Sequence, residues 1–358
     1  MNLELFKNIL SIDSTSGKER DMALWLHNNL EAPKKQLMEV GDGTLNLLLS
    51  WGTPRVVFCT HMDTVPPYIP PTFPERDPRH PGDNALDRHP GDIDRHPRAC
   101  PGDLILGRGS CDAKGQLFAM YTACKDLEAS GATNFGLLIL AGEETGSWGA
   151  KAFAKTDFKA PFLIVGEPTE NKMVSASKGT KSYDLVFHGK PFHSGYPEYG
   201  VSAVDLFNEF YNKLKAKDFG EDPVLGKTTW NIGLLHSDNP QNILSPELTC
   251  RLYFRTTFVS DEAVERYMAE LACNEVSVTP RGGDTPAKYV TLPGFESAPA
   301  SFGTDAPHLT NFGHKIICGP GTVGVAHRDE ENIAIADLEE AVKLYTAMYR
   351  VLQNINNQ

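Results

Sequence analysis

The segment at residues 56–63 constrains this chain most, because an apolar strand pattern ends there in a histidine and a carboxylate. Its sequence is VVFCTHMD, which places His61 and Asp63 directly after the apolar run. In open α/β sheets, ligands gather at the carboxyl ends of the strands. The segment therefore predicts metal chemistry, provided that other acids or histidines follow other apolar strands.

Acids and a histidine do follow the other short apolar runs of the chain. In chain order, these residues are Glu143 and Glu144, Glu167, and His327. A further acid, Asp112, lies in the glycine-rich segment GRGSCDAKG, where glycines permit a tight turn before an amphipathic helix. Apolar strands that alternate with helices predict a mainly parallel sheet with helices on both faces. We expect these side chains to converge at one edge of that sheet.

Composition limits the classes of protein that need to be considered. A length of 358 residues favours two domains, and a formal net charge of −12 disfavours a nucleic-acid or anionic-membrane partner. The N-terminal residues MNLELF lack a basic leader, which predicts a cytoplasmic protein. The 7 cysteines include no Cys-x-x-Cys pair, so that neither a disulfide framework nor a thiolate zinc site is expected. Oxygen and imidazole ligands would hold any metal.

The pattern along the chain predicts a discontinuous first domain. Alternation of apolar and polar residues after residue 175 indicates a one-faced antiparallel sheet with helices, inserted before a long closing helix. The predicted boundaries are 1–174 and 289–358 for the first domain and 175–288 for the insertion. Ser16 and Glu19 have the spacing of a capping box that opens a helix. An Arg-His-Pro repeat at 79–97 predicts a surface insertion, whose histidines could bind a metal only weakly.

The ordered motifs resemble those of the M20 family of metallopeptidases and deacylases. They are His-x-Asp, Gly-Arg-Gly-x-x-Asp-x-Lys-Gly, Glu-Glu, Gly-Glu-Pro-Thr, and Gly-Pro-Gly followed by a histidine. Within the family, the chain is similar to the acetylornithine deacetylases and succinyl-diaminopimelate desuccinylases. The resemblance covers nearly the whole chain. It implies a zinc-peptidase-like α/β catalytic domain with an inserted α+β domain that serves as lid and dimerisation surface.

The resemblance also implies a set of metal ligands. Asp112 would bridge two zinc ions, one held further by His61 and Glu167 and the other by Glu144 and His327. Such a mixture of imidazole and carboxylate leaves the sites electrophilic and partly open. Cobalt or manganese could substitute, because oxygen and nitrogen ligands discriminate poorly between these metals.

Three further residues take catalytic roles by the same resemblance. Asp63 would accept the second imidazole N–H of His61, and Glu143 would be the general base that carries the proton to the leaving amine. His193, in the segment GKPFHSG, would reach the partner subunit's site and stabilise the oxyanion, which implies a homodimer. Read without the family, Asp63 is a turn former, Glu143 belongs to a solvated acidic loop, and His193 is an exposed turn residue.

Four positions resemble substrate contacts of the family. They are Asn231, Arg255, Gly303 and Thr304. An arginine can clamp a carboxylate in bidentate fashion. A structural role is the alternative for each of them, as turn former for Asn231 and as salt-bridged strand residue for Arg255.

The expected reaction is hydrolysis of an N-acyl amino acid, with N-acetylornithine as the substrate and arginine biosynthesis as the setting. Removal of a succinyl group, from succinylornithine or succinyl-diaminopimelate, is an alternative that needs an additional cation in the acyl pocket. Dipeptidase action is another. Outside enzymes, a silent metal-binding relative would lack Glu143 or His193, and both are present. A scaffold protein would bind no metal.

Overall fold

The chain divides into two compact units in a computed structural model that describes residues 1–74 and 103–355. The first unit comprises Met1–Val174, Tyr289–Ala298 and Thr304–Gln358, and the second unit comprises Ser175–Lys288 and Pro299–Gly303. The predicted Arg-His-Pro insertion lies outside the described residues. The catalytic role of the first unit and the lid role of the second stay predictions.

Both units combine helices with strands. The helices are α1 (Leu3–Leu10), α2 (Glu19–Asn29), α3 (Lys114–Ala129), α4 (Trp148–Phe153), α5 (Ala203–Ala216), α6 (Asp261–Leu271) and α7 (Ile335–Gln353). The strands are β1 (Lys34–Gly41), β2 (Thr44–Trp51), β3 (Val56–His61), β4 (Leu104–Leu106), β5 (Phe135–Leu140), β6 (Ala160–Val165), β7 (Met173–Ser177), β8 (Gly179–His188), β9 (Glu221–Asp222), β10 (Gly226–Lys227), β11 (Thr229–His236), β12 (Glu247–Thr256), β13 (Val276–Gly282), β14 (Ala287–Lys288), β15 (Ser297–Ala300), β16 (Phe312–Ile317) and β17 (Asn332–Ala334). Single 3₁₀ turns lie at Pro197–Tyr199 and Ala306–His308.

A 6-stranded sheet in the order β1-β2-β5-β3-β6-β16 forms the centre of the first unit. Strands β5, β3, β6 and β16 run parallel to one another, whereas β2 is antiparallel to both β5 and β1. Every residue of β3 and β5 is buried, so both faces of the sheet are covered at its centre. The prediction of a mainly parallel α/β sheet is confirmed.

Helices α1, α2, α3 and α7 contribute to one apolar core with alternate residues of the sheet. Phe6 of α1 stacks on Phe118 of α3, with ring centroids 4.8 Å apart, and Tyr345 of α7 packs edge-on against Phe58 of β3. The apolar stripe that predicted the closing helix is buried along its length, at Leu338, Val342, Tyr345, Met348 and Leu352. Burial of this stripe against the sheet stabilises α7 more than helix propensity does.

The second unit contains a 4-stranded antiparallel sheet in the order β11-β12-β8-β13. Residues of β12 alternate strictly between buried and more exposed positions, as a half-buried strand requires. Helices α5 and α6 supply Phe210, Leu214, Val264 and Met268 to the core on the buried face. This arrangement is the one-faced antiparallel sheet that the alternating sequence predicts.

The smaller sheets involve short strands. Their orders are β14-β7-β15, β17-β4 and β10-β9. None of the helices built from the described residues combines the length and apolarity that a membrane crossing requires.

The predicted capping box at Ser16 and Glu19 is wrong. Helix α2 begins at Glu19 without a side-chain cap, and the carboxylate of Glu19 accepts the N–H of Gly17 at 2.8 Å. The Ser16 hydroxyl instead donates to Asp63 Oδ2 at 3.0 Å. A fully buried carboxylate needs protein donors, because water cannot replace them.

Candidate active site

Three parallel strands end at the same edge of the first unit's sheet, and each is followed by an acid or ends in a histidine. His61 is the last residue of β3, Glu143 and Glu144 follow β5, and Glu167 follows β6. The register places His61 of β3 beside Leu140 of β5, so the loop after β5 begins next to the imidazole. The sequence prediction that these side chains share one edge agrees with this register.

Asp112 lies between two histidines, with one carboxylate oxygen toward each. Its Oδ1 is 3.2 Å from Nε2 of His61, and its Oδ2 is 3.4 Å from Nε2 of His327. Nε2 of His327 also lies 3.0 Å from Oε1 of Glu144. Potential ligand atoms of His61, Asp112 and Glu144 all lie within 4.8 Å of one another. This is the arrangement expected of a carboxylate that bridges two cations.

The loop before α3 brings Asp112 to this position. The chain turns at Gly109, whose φ of +83° lies in the left-handed region that glycine adopts without steric cost. A Cβ atom on Gly109 would lie 2.9 Å from side-chain atoms of Lys114 and Thr64. Gly109 therefore allows this loop to turn and to lie close to Lys114 and Thr64.

Asp63 supports the site through both its main-chain carbonyl and its carboxylate. Nδ1 of His61 lies 3.0 Å from the main-chain carbonyl of Asp63 and 3.5 Å from its carboxylate. A carbonyl can only accept, so Nδ1 carries the hydrogen and Nε2 faces Asp112. The Asp63 carboxylate accepts the backbone N–H groups of Glu143 and Glu144, at 3.0 and 3.1 Å. Asp63 therefore fixes the acidic turn at Glu143 and Glu144 as well as the His61 ring.

Electrostatics differ between the acids of the site. Burial alone raises the pKa of Asp112, but hydrogen bonds from His327 and His61 outweigh burial and hold that pKa below its usual range. Burial raises the pKa of Glu143 well above its usual range, and the nearby charges of Asp305, Glu144 and Asp112 raise it further. Burial and neighbouring negative charge thus both favour the protonated form of Glu143.

Glu167 and His327 are the two remaining residues of the predicted ligand set, and they differ in their exposure to solvent. Glu167 is buried, and burial together with the charge of Glu143 raises its pKa well above the usual range. His327 is 51% exposed at its side chain, and its hydrogen bonds to Asp112 and Glu144 raise its pKa to about 10. Solvent thus reaches the His327 side of the cluster.

The residues of this cluster fit two divalent cations. Buried carboxylates outnumber the two histidines, and such like charges repel one another unless a cation or protons neutralise them. The donors are imidazole nitrogens and carboxylate oxygens, which suit zinc, cobalt or manganese. The cysteines nearest in sequence to His61 and Asp112 are Cys59 and Cys111. Both thiols are buried, and burial raises their pKa well above the usual range. The predicted ligand set contains no sulfur.

Two acids near the cluster are not among the predicted metal ligands or catalytic residues. Asp305 is buried, its Oδ1 has no hydrogen-bond partner in the described part of the chain, and burial raises its pKa to about 6. Glu331 is buried beside the Asp112 loop and accepts the N–H of Asp112 at 3.0 Å. The sequence offered one signal for Glu331, namely an acid shortly after His327.

The remaining predicted residues lie mostly in the second unit, and the structure gives them different surroundings. His193 is exposed, and its Nδ1 accepts the N–H of Gly195 at 3.0 Å. Asn231 is exposed on β11, opposite Tyr253 of β12. The Arg255 guanidinium lies 5.0 Å from the centre of the Tyr253 ring and has no ion pair with any described residue. The predicted alternative of a salt-bridged Arg255 therefore finds no support.

Gly303 and Thr304 differ in what they can contact. A Cβ atom on Gly303 would lie 3.9 Å from Nη1 of Arg255, so that the glycine leaves room beside the guanidinium. The Thr304 side chain is buried and accepts the N–H of Ala306 at 3.0 Å. This contact begins the 3₁₀ turn at Ala306–His308, which is a structural role.

Comparison with known proteins identifies the family. The model of peptidase family M20/M25/M40 matches residues 57–350. The chain belongs to this family. An M20 domain-containing peptidase of Schizosaccharomyces pombe is 30% identical over 97% of this chain and 83% of its own length. A probable carboxypeptidase of Aspergillus fumigatus is 29% identical over 96% of this chain and 84% of its own length.

Solved structures of M20 proteins share the fold of this chain. A tripeptidase from Staphylococcus aureus has a TM-score of 0.75 at 19% identity and covers 99% of this chain and 98% of its own. A dinuclear metal-binding M20 peptidase from Bacillus subtilis has a TM-score of 0.64 at 11% identity, covering 99% of this chain and 98% of its own. The predicted family and fold are confirmed. The narrower similarity to acetylornithine deacetylases stays a prediction, because the relatives named above are peptidases and a probable carboxypeptidase.

Proposed function

We propose that this M20 hydrolase cleaves the amide bond of an N-acyl amino acid, with N-acetylornithine as the leading substrate and acetate and ornithine as products. The observation that carries the proposal is the position of Asp112, whose two oxygens face His61 and His327. This geometry suits a pair of cations bridged by one carboxylate. Arginine biosynthesis is the setting that the substrate would imply.

Two divalent cations, with zinc as the first expectation, would supply the Lewis acidity that activates water and polarises the acyl carbonyl. Asp112 would hold both cations. His61 and Glu167 would complete one site, and Glu144 and His327 the other. The buried Asp63 would keep the His61 ring and the acidic turn in place through the contacts described above.

Glu143 would move the proton that the reaction requires. Its raised pKa, caused by burial and neighbouring carboxylates, suits a group that takes a proton from the attacking water. As the C–N bond breaks, Glu143 would return that proton to the amine nitrogen. His193 would reach into the partner subunit's site and donate a hydrogen bond to the substrate's carbonyl oxygen as the carbonyl carbon becomes tetrahedral. Water thus supplies both the hydroxyl of the new acid and the hydrogen of the new amine.

Arg255 would bind the free carboxylate of the amino-acid part of the substrate. Arg255 has no ion pair among the described residues, and its charge lowers the pKa of Lys178 in addition to the effect of burial. An arginine without an ion pair favours an anionic ligand. Asn231 would also contact the substrate, and Gly303 would leave room for it beside Arg255. The hydroxyl of Thr304 already accepts the N–H of Ala306.

A carboxypeptidase or dipeptidase is the second candidate. The names of the relatives favour it, and a peptide also presents a free carboxylate that Arg255 could bind. Removal of a succinyl group is a variant of the first proposal. It would require a further cation toward the acyl group.

A homodimer formed through the second unit is part of the proposal. Large apolar side chains are exposed in this unit near His193 in the sequence, including Phe192, Tyr196 and Tyr199. Exposed aromatic side chains are typical of interfaces. The molar mass from light scattering should be twice that of the 39.3 kDa chain, and a value equal to one chain would contradict the dimer.

A substrate panel tests the proposed reaction. The purified full chain, supplied with zinc or cobalt, is assayed for kcat/KM on N-acetyl and N-succinyl forms of ornithine, citrulline, lysine and diaminopimelate, and on dipeptides. A preference of about a hundredfold or more for one acyl group would identify the pocket. The Glu143→Gln variant is the matched control for contaminating hydrolases. Hydrolysis of dipeptides alone would favour the second candidate, and no metal-dependent hydrolysis would refute both.

A further inference from the structure

Arg108 and Glu331 form an ion pair that is almost completely removed from solvent. Nη1 of Arg108 lies 2.7 Å from Oε2 of Glu331, and each side chain is 1% exposed. Replacing a buried ion pair by apolar side chains is often neutral or stabilising, so fold stability alone is a weak reason for such a pair. The contacts around it point to a different role.

Oε1 of Glu331 accepts three backbone N–H groups from the loop that carries Asp112. The donors are Gly109 at 2.9 Å and Cys111 and Asp112 at 3.0 Å each. With Arg108 on Oε2, both carboxylate oxygens are engaged. The peptide that carries the proposed bridging ligand is therefore held by a charged acceptor, which binds N–H groups more strongly than a neutral one.

Arg108 extends the same network to the loops of two other proposed ligands. Its Nη1 donates to the carbonyl of Arg328, the residue after His327, at 3.1 Å. Its Nε donates to the carbonyl of Pro67, on the loop that follows His61, at 3.2 Å. The planar guanidinium presents these donors in fixed directions, which a lysine cannot reproduce.

We infer that Arg108 and Glu331 are positioning residues for the metal centre, which hold the loops of Asp112, His327 and His61 at the separation that two cations need. The inference rests on the proposed function. Neither side chain is assigned to the metals or to the reacting atoms. Their effect would pass through the backbone of the ligand loops, so metal affinity should depend on them more than fold stability does.

Glu331→Gln is the main test variant, and Arg108→Lys is the second. An amide has one acceptor oxygen, which can face either the three N–H groups or Arg108, so the substitution leaves donors opposed to donors. Lysine keeps the charge beside Glu331 but lacks the fork that reaches Arg328 and Pro67. Leu352→Ala is the control, because Leu352 is fully buried in the same unit, and its loss should lower stability without touching the ligand loops.

Cobalt(II) binding to the full chain supplies a readout besides activity. The metal-free protein is titrated with cobalt and followed by visible absorption and by competition with zinc, and thermal unfolding is recorded for each variant. We expect Glu331→Gln to weaken metal affinity about 10- to 100-fold and to alter the cobalt spectrum. Arg108→Lys should change the metal affinity and the cobalt spectrum in the same direction, but to a smaller extent. Leu352→Ala should lower Tm and leave cobalt binding unchanged.

The outcomes separate this inference from the proposed function. If the parent chain binds two cobalt ions and both charged-pair variants bind them with unchanged affinity and spectrum, the pair has no positioning role, even where Tm falls. If the parent chain binds no cobalt, the proposed function fails and takes the inference with it. If Glu331→Gln does not fold, the cobalt affinity of Arg108→Lys decides by the same criterion.

Discussion

The two units of this M20 hydrolase build their sheets in opposite ways. The central strands of the first unit are buried on both faces, and His61 and three acids of the proposed active site lie at or just after their ends. The sheet of the second unit has one covered face, and Arg255 and Asn231 lie on its less buried side. A doubly covered sheet resists deformation because its residues are close-packed on both sides. It is the better support for ligands whose separation matters.

Charge follows the same division. Carboxylates gather at the strand ends of the first unit, whereas in the second unit burial and the charge of Arg255 together lower the pKa of Lys178. The first set suits cations and the second suits an anionic group of a substrate. We therefore expect changes in the first unit to alter metal content and kcat, and changes in the second unit to alter KM.

Metal removal should give the largest effect. Dialysis against a chelator should abolish hydrolysis and lower the Tm of the first unit, because the buried carboxylates then repel one another. Addition of zinc or cobalt should restore both. Activity assays and thermal unfolding before and after dialysis check this expectation. Full activity in metal-free protein would contradict the proposed metal centre.

Asp112→Asn should lower kcat/KM on the order of 10³-fold, because the Lewis acidity supplied by two cations contributes several kcal/mol to transition-state stabilisation. The bound metal per chain, measured by elemental analysis, should fall from two. Asp184→Asn in the second unit is the matched control, since Asp184 pairs with Arg251 and Arg281 at the surface. Equal metal content in parent and Asp112→Asn would contradict the bridging role.

Glu143→Gln should lower kcat about 10²- to 10⁴-fold through loss of proton transfer. Metal content should stay at the parent value, because Glu143 is proposed to lie beside the metals without binding them. Glu144→Gln, at the neighbouring position, should instead reduce metal binding. The prediction is wrong if the two variants lose metal to the same extent.

Arg255→Met should raise KM about 10- to 100-fold for a substrate with a free carboxylate, because a charge-assisted hydrogen bond contributes about 1.5–3 kcal/mol. The value of kcat should change less. Arg281→Met, in the same unit, removes a surface partner of Asp184 and should leave KM unchanged. A substrate whose carboxylate is amidated should show no difference between parent and Arg255→Met.

Asp184→Asn should give the smallest effect, on stability alone. Hydrogen bonds from Arg251 and Arg281 lower the pKa of Asp184 from its usual value of 3.8. The ionised carboxylate thus stabilises the fold above pH 3.8, and this contribution is lost as the pH falls below that value toward the folded-state pKa. Solvent screening keeps the difference within ~1 kcal/mol. Thermal unfolding from pH 7 to pH 3 should show the two curves converging at acid pH.

Sequence patterns predicted the parts of the site that depend on local order along the chain. Short apolar runs bounded by polar residues became β3, β5 and β6, and the residues after them lie at one edge because parallel strands share their direction. The stripe beginning at Leu338 became α7. These strands and this helix follow from the hydrophobic periodicity and the length of each apolar run. Both are properties of the sequence and do not depend on which residues lie nearby in space.

Local sequence patterns did not predict the contacts of buried polar side chains with partners distant in sequence. Ser16 has the spacing of a helix cap, yet it bonds to Asp63. Asp63 holds the acidic turn after β5 through its carboxylate and the His61 ring chiefly through its carbonyl. Residue type specifies how many hydrogen bonds a buried group needs, whereas the fold selects the groups that supply them.

The sequence by itself determined the order of the strands and helices, the residue types at the strand ends and hence the family and the class of chemistry. Tertiary structure alone decided that Asp112 presents one oxygen to each histidine, and that the buried pair of Arg108 and Glu331 connects loops far apart in the chain. The physical reason is that hydrophobic periodicity is a local property of the chain. Hydrogen-bond partners of buried polar groups depend on which loops the packed sheet brings together.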